Sequence, residues 1–292
     1  MYASYFGLNE NPFNLTPDPK YLYFSPQHRE ALNYLIYGIN EKKGFIVITG
    51  DIGTGKTTIC RSLLSLLDQS VESALIFNTF ISDVELLETI NQEFGISMNG
   101  REKTKKGYID ALNEFLLNNF AAGKNAVLLI DEAQNLSHSV LEQIRMLSNL
   151  ETIKEKLIQI ILIGQPELHD LLTSLPLRQL NERITVRYAL KNLDEKNVQN
   201  YIEHRLSIAG GKNTIKFSSA AFRVIHSHSQ GNPRRINAIC DRALLIAYTK
   251  DVFTINRKTV KETVKDIGEN YLLGEIPAKF KKRGRFFISR LF

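Results

Sequence analysis

Four residues stand at the spacing a triphosphate requires. Gly50, Gly55, Lys56 and Thr57 follow the pattern G-x-x-x-x-G-K-[ST], with Asp51, Ile52, Gly53 and Thr54 between them and Thr58 behind. Glycines here let the backbone turn tightly, so that successive N–H groups converge on a small anion site at the start of a helix. Lys56 would then reach the β and γ phosphates of ATP, and the Thr57 hydroxyl would ligate Mg²⁺. A second pair, Asp131-Glu132, follows the apolar run 126–130. An acid at that strand end can hold Mg²⁺ or its waters, and the next one can orient and deprotonate an attacking water. The plainer reading is a Gly-rich turn with a solvated lysine and an acidic loop. Context decides against it: the apolar, β-branched run 45–49 precedes the loop as a buried strand, and a helix-spaced apolar pattern follows to residue 67.

Three weaker candidates lie downstream. Gln165 ends the strand expected at 157–163, where its amide could meet the lytic water or the γ-phosphate, or could merely satisfy backbone. Arg178 and Arg183 sit in a short helix, 175–183, before the strand 184–189, and either could face a neighbouring subunit's phosphates. Arg234 and Arg235 stand in the first turn of a helix whose dipole they oppose, which suggests an anion held against them, or else a salt bridge with an acid such as Asp241. The six histidines show no metal-ligand spacing and read as ordinary polar residues.

These residues need scaffolding. The pattern predicts a helix over 26–40, strands at 45–49, 74–77, 126–130, 157–163 and 184–189, and helices between them at 83–94, 107–121 and 136–150. Beyond residue 193 only helices are expected, at 194–209, 218–229, 233–249 and 256–270, most of them opened by Asp, Ser or Asn caps. The predicted organisation is an N-terminal arm and leading helix (1–43), an α/β nucleotide-binding domain on a five-stranded parallel sheet (44–192), a small all-helical lid (193–270) and a tail (271–292). The aromatics of the Pro-rich arm, 6–24, would lie along a surface groove, by packing alone or bordering an adenine.

Composition narrows the classes. With 292 residues, 43% of them hydrophobic, the chain can bury a large core. Two cysteines far apart in sequence suit a reducing compartment. With no spanning run and no basic leader, the body is expected to be cytoplasmic. The net charge is +6, but six of the 37 basic residues and none of the 31 acidic ones fall in 276–292, so the rest balances at 31 of each. A basic tail bearing Phe280, Phe286, Phe287 and Phe292 suits an anionic leaflet, and the neutral body disfavours nucleic acid apart from a local patch at 101–106.

In this order the residues resemble AAA+ ATPases. More closely, Phe6-Gly7-Leu8, Pro12-Phe13, the stretch 15–19, Asp131-Glu132-Ala133-Gln134, Gly164-Gln165-Pro166-Glu167-Leu168, Leu177-Arg178-Gln179-Leu180 and Gly231-Asn232-Pro233-Arg234-Arg235 are similar to the general secretion pathway protein A group, which includes relatives in pilus and exopolysaccharide loci. The resemblance covers roughly residues 1–265. It implies Walker A roles for Lys56 and Thr57, Walker B roles for Asp131 and Glu132, sensor 1 for Gln165 and sensor 2 for Arg234. It also implies a trans-acting arginine finger, Arg183 before Arg178, and a polar residue, Asn78, that holds Glu132 inactive. A homo-oligomer, with a ring as its expected form, would follow, working on a secretion or other envelope-assembly partner. Sensor 1 is commonly Asn, Thr or Ser in the wider superfamily, so the Gln165 role rests on the closer group. That group typically continues through a membrane helix into a peptidoglycan-binding domain, which this sequence does not reach, so partner remodelling on the cytoplasmic side is the expectation. The alternatives are a DNA-binding ATPase of the transposition-helper type and a P-loop kinase.

Overall fold

A computed structural model describes residues 2–16, 18–152, 155–211 and 214–268. The described residues divide into two compact units, one within 26–191 and one formed by those before residue 26 together with those from 192 to 268. The leading segment expected as one piece, 1–43, is therefore parted at Pro26. The reason is apolar matching: the rings of the arm are completed by the late helices, and the helix after it by the sheet.

A single helical turn, α1 (Tyr2–Tyr5), opens the chain, and α2 (Pro26–Asn40) starts the α/β unit. Then come β1 (Phe45–Gly50), α3 (Lys56–Leu66), β2 (Val71–Ile76), α4 (Asp83–Glu93), α5 (Lys105–Ala121), β3 (Asn125–Ile130) and α6 (His138–Leu147). They are followed by β4 (Gln159–Gly164), α7 (Glu167–Thr173), α8 (Arg178–Arg183) and β5 (Ile184–Leu190). The five strands are parallel in the order β2-β3-β4-β1-β5. Strands β1, β3 and β4 are buried almost throughout, as continuous apolar runs in a sheet covered on both faces should be. At the edge, β5 alternates buried and exposed side chains.

Register brings the chemistry together. Thr49 of β1 lies opposite Gly164 of β4, and Leu162 of β4 lies opposite Ile130 of β3. The residues that leave the sheet at Gly50, Ile130 and Gly164 thus emerge along one edge, at the carboxyl ends of the strands where the connections change direction.

Differences from the expected elements have local causes. Strand β2 starts at Val71 rather than 74, because Glu72 and Ser73 interrupt the apolar run on an edge strand. Gln159 opens β4 although polar: it is buried, and its amide donates to the Gly38 and Lys43 carbonyls. Helix α5 begins at Lys105 under the Thr104 hydroxyl, which shortens the lysine-rich loop. Seven-residue α7, after Pro166, was too short to read from periodicity.

In the other unit, α9 (Glu195–Ile208), α10 (Ser219–Ser229), α11 (Pro233–Thr249) and α12 (Arg257–Ile267) surround a core that takes in Phe6, Phe13 and Tyr21 from the arm. A two-residue parallel pair, β6 (Lys216–Phe217) with β7 (Thr254–Ile255), joins the helices. Arg205 anchors the arm: its Nε donates to the Pro12 carbonyl at 2.5 Å, its guanidinium lies 4.6 Å from the Tyr21 ring centre, and Nη1 donates to the Tyr201 hydroxyl at 3.1 Å. Phe6, Phe13 and Tyr21 are thus packing residues of this unit. The tail 271–292 and the expected end of the last helix at Asn270 lie outside the described residues.

Gly231 fixes the entry to α11. Its φ is +73°, its carbonyl accepts the Leu193 N–H at 2.9 Å, and a Cβ there would fall 1.8 Å from the Leu193 carbonyl oxygen. Gly231→Ala is therefore expected to cost at least ~2 kcal/mol, from left-handed strain and backbone displacement together, read as a lower denaturant midpoint at unchanged slope.

Candidate nucleotide site

The loop after β1 is shaped to receive an anion. Gly53 and Gly55 have φ of +83° and +99°, and the Thr54 hydroxyl donates to the Asp51 carbonyl at 2.9 Å, closing the turn. Helices α4, α5, α6, α9, α10, α11 and α12 each begin beneath a Ser, Thr, Asp or Asn side chain that accepts a first-turn N–H. Helix α3 begins at Gly55 with no side-chain cap. Its first N–H groups, at the positive end of the helix dipole, are the ones a phosphate would satisfy.

Lys56 is 5% exposed, and its Nζ donates to the carbonyls of Gly50 at 2.7 Å and Asp51 at 3.0 Å. Burial pushes the amine below its usual pKa, against the opposing pull of Glu132, Asp131 and Asp51. A bound polyphosphate would supply the compensating charge. The Thr57 hydroxyl donates to Asp131 Oδ2 at 2.6 Å, and Asp131 is 2% exposed, its Oδ1 accepting the Glu132 N–H at 2.9 Å. This hydroxyl and carboxylate form an all-oxygen donor pair of the kind Mg²⁺ selects, so the residues present fit both nucleotide and metal. Thr58, behind them, turns its carbonyl to the Ser62 hydroxyl, while Asp51 and Ile52 are exposed at the loop tip.

Glu132 has a left-handed backbone, φ +53°, and its carbonyl accepts from Thr79 Oγ1 at 3.2 Å. Its Oε2 accepts from Gln134 Nε2 at 2.7 Å and from Gln165 Nε2 at 3.1 Å. Burial works to raise this carboxyl, but the two amide hydrogen bonds and the charge on Lys56 outweigh it and hold it below the usual carboxylate range. The charged form of Glu132 is thus the one the site favours.

The outlying expectations fare differently. Gln165 does more than satisfy backbone, since its side chain reaches Glu132. Asn78 does not hold Glu132: its Oδ1 accepts the Phe80 N–H at 3.3 Å, whereas the neighbouring Thr79 meets the Glu132 main chain and Gln134 and Gln165 meet its carboxylate. The reason is direction, because in the segment that follows β2 Asn78 is exposed and Thr79 buried. Arg183, expected first as a finger, spends Nη1 on the Arg145 carbonyl, Ser148 Oγ and Asn149 Oδ1 at 3.2, 2.7 and 2.7 Å, closing the C-terminus of α6. Arg178 is exposed, with a 3.0 Å partner four residues on at Glu182. Arg234 is exposed in the first turn of α11, its N–H donating to the Asn232 side chain. The basic patch at 101–106 is partly neutralised, Arg101 by Glu114 and Lys105 by Asp83. Among the described residues no cluster of three or more His, Cys, Asp and Glu could hold a metal, and no helix is long and apolar enough to cross a membrane.

His28 escaped the sequence reading. Buried on α2, it donates from Nε2 to the Thr54 carbonyl at 2.9 Å, and a Cβ on Gly55 would meet that nitrogen at 2.8 Å. It underpins the loop from behind. Burial lowers its pKa from 6.5, only partly offset by the Thr54 carbonyl. The unfolded chain therefore binds this proton more readily, so the stability His28 contributes is complete above about pH 6.5 and is lost as pH falls towards its lower folded value. Denaturant midpoints taken between pH 7.5 and 5.5 should fall in the parent, and fall less in His28→Gln.

A family model described as an AAA domain matches residues 39–172. General secretion pathway protein A of Aeromonas hydrophila is 46% identical over 250 residues, which cover 86% of this chain and 45% of that protein. The chain thus spans less than half the length of this relative. Among solved structures, the Aeropyrum pernix ORC2 protein in its ADPNP-ADP complexes aligns with a TM-score of 0.63 at 16% identity, over 88% of this chain and 71% of that one. Cdc6p from Pyrobaculum aerophilum gives 0.66 at 17%, over 91% and 74%. The Thermotoga maritima RuvB Holliday junction branch migration motor gives 0.54 at 18%, over 84% and 71%. At such identities the solved structures speak for the fold alone, and that fold is the one built above. The chain carries an AAA domain on the α/β fold of P-loop nucleotide-binding proteins, and over most of its length it is similar to general secretion pathway protein A.

Proposed function

We propose that the protein hydrolyses ATP with Mg²⁺ and couples the cycle to assembly or remodelling of a secretion, pilus or polysaccharide-export system at the cytoplasmic face of the membrane. The observation that carries the hydrolytic part is the Thr57–Asp131 hydrogen bond beside a buried Lys56 and an amide-held Glu132. Lys56 would exchange the Gly50 and Asp51 carbonyls for phosphate oxygens. Thr57 and Asp131 would hold Mg²⁺, which supplies charge neutralisation at the phosphates when bound. Glu132 would orient the attacking water and take its proton.

The envelope role rests on the name carried by the 46% identical relative and on the sequence resemblance. The basic, aromatic tail, read from sequence, would supply contact with an anionic leaflet. Sedimentation with anionic liposomes should then be lost when residues 276–292 are removed.

Completion of the site by a neighbouring copy in a ring is part of the same proposal. For the trans-acting arginine, exposure favours Arg178, since a guanidinium already shared among three acceptors cannot be presented elsewhere without uncapping α6. Arg234 would serve as a second cationic contact to the nucleotide.

Lys56→Ala should abolish nucleotide binding, and EDTA should stop phosphate release. Glu132→Gln should keep ATP binding but lose about a hundredfold or more in turnover, the usual worth of a general base. Parent-like hydrolysis by Lys56→Ala would refute the proposal. For the arginines, Arg178→Ala should be inactive alone and regain activity when mixed with Glu132→Gln subunits, while Arg183→Ala should mainly lower the melting temperature.

A further inference from the structure

The contacts of Gln134 go beyond anything the sequence patterns assign to it. It stands two residues after Glu132, inside a 3-10 turn (Ala133–Asn135), and its carboxamide is engaged at both ends. Oε1 accepts the backbone N–H of Gln165 at 3.0 Å, while Nε2 donates to Glu132 Oε2 at 2.7 Å. The first of these partners is rigid, because Gln165 is the residue at which the chain leaves the fully buried strand β4. The strand must also be bare at that point: a Cβ on Gly164 would lie 2.8 Å from Gln134 Oε1 and 2.9 Å from Leu168 Cδ2. Gln165 adds its own amide to the same carboxylate oxygen at 3.1 Å.

A free glutamate side chain samples many rotamers, and fixing one costs conformational entropy. Here the left-handed Glu132 backbone is held by Thr79 and Asp131, and the carboxylate by two amides tied to the end of β4. Both amides fall on Oε2, so the carboxylate is oriented through one of its two oxygens. We infer that Gln134 is a positioning residue for hydrolysis: it brackets Glu132 to the end of β4 and so sets the carboxylate that receives the proton of the attacking water. This rests on the reading of Glu132 as the base. It also makes the Gln165 backbone, and not only its side chain, part of the positioning apparatus.

The test separates turnover from binding. Gln134→Leu removes both hydrogen bonds at similar volume. Gln134→Glu keeps the shape but replaces the donor with a second negative charge facing Glu132, and serves if leucine is not tolerated. With ATP and Mg²⁺, kcat should fall about ten- to a hundredfold in either variant, while KM, the affinity for a fluorescent ADP analogue and the melting temperature stay within twofold or a few degrees of the parent. Parent-like or faster turnover in both variants, with Glu132→Ala inactive, would overturn the bracket and leave the base assignment standing. A loss confined to KM would assign Gln134 to nucleotide binding and overturn it equally. If Glu132→Ala itself hydrolyses like the parent, the base reading fails, and this inference with it.

Discussion

The charged groups of the candidate nucleotide site depend on the parallel register of three buried strands. Because β1, β4 and β3 are locked side by side by backbone hydrogen bonds, the residues that follow them have no choice but to converge. A slip in that register would carry Asp131 away from Thr57 and turn core side chains outward. The apolar strands therefore serve two purposes: they provide the hydrophobic stabilisation of the unit, and they act as the ruler that spaces an amine, a hydroxyl and two carboxylates. Lys56, Asp131 and Glu132 would be costly to bury singly. Grouped at the strand ends, opposite charges offset part of the desolvation: Glu132, Asp131 and Asp51 oppose the burial that lowers the Lys56 pKa.

Much of this was legible in the amino-acid order, and the failures have a common cause. Contacts local in sequence, or fixed by a glycine pattern, could be read directly: the loop from Gly50 to Thr57, the acids that end β3, the Ser, Thr and Asn caps. Side-chain direction after a strand could not. Asn78 and Thr79 are equally polar and adjacent, yet only Thr79 is turned inward towards Glu132. Arg183 and Arg178 are equally basic, but whether a guanidinium caps α6 or faces solvent depends on where α6 ends, some thirty-five residues earlier in the chain. His28 belongs to the same class, a residue on α2 whose partner is a main-chain carbonyl twenty-six positions on. Strand ends were harder to read than strand centres, because a polar residue such as Gln159 finds its buried partners only in the folded chain.

The helices α9 to α12 lie close to the spans read from periodicity and caps, but helices alone were expected there, and neither the short β6–β7 pair, whose partners lie too far apart in sequence to leave a local signal, nor the unit's dependence on the first residues of the chain was foreseen. Aromatics in a proline-rich stretch carry no periodic signal. Their role becomes visible only through Arg205, whose planar cation is wedged among the Tyr21 and Tyr201 rings and the Pro12 carbonyl. An arginine suits such a position better than a lysine, since a flat guanidinium can stack and donate in its plane together.

That dependence has a bearing on biosynthesis. On a nascent chain leaving the ribosome, Phe6 and Phe13 emerge at once, but the helices that enclose them are not translated until nearly two hundred residues later. During that interval the α/β unit can collapse upon itself, whereas the arm must wait with its rings in water, a stretch of high contact order and a natural station for chaperones.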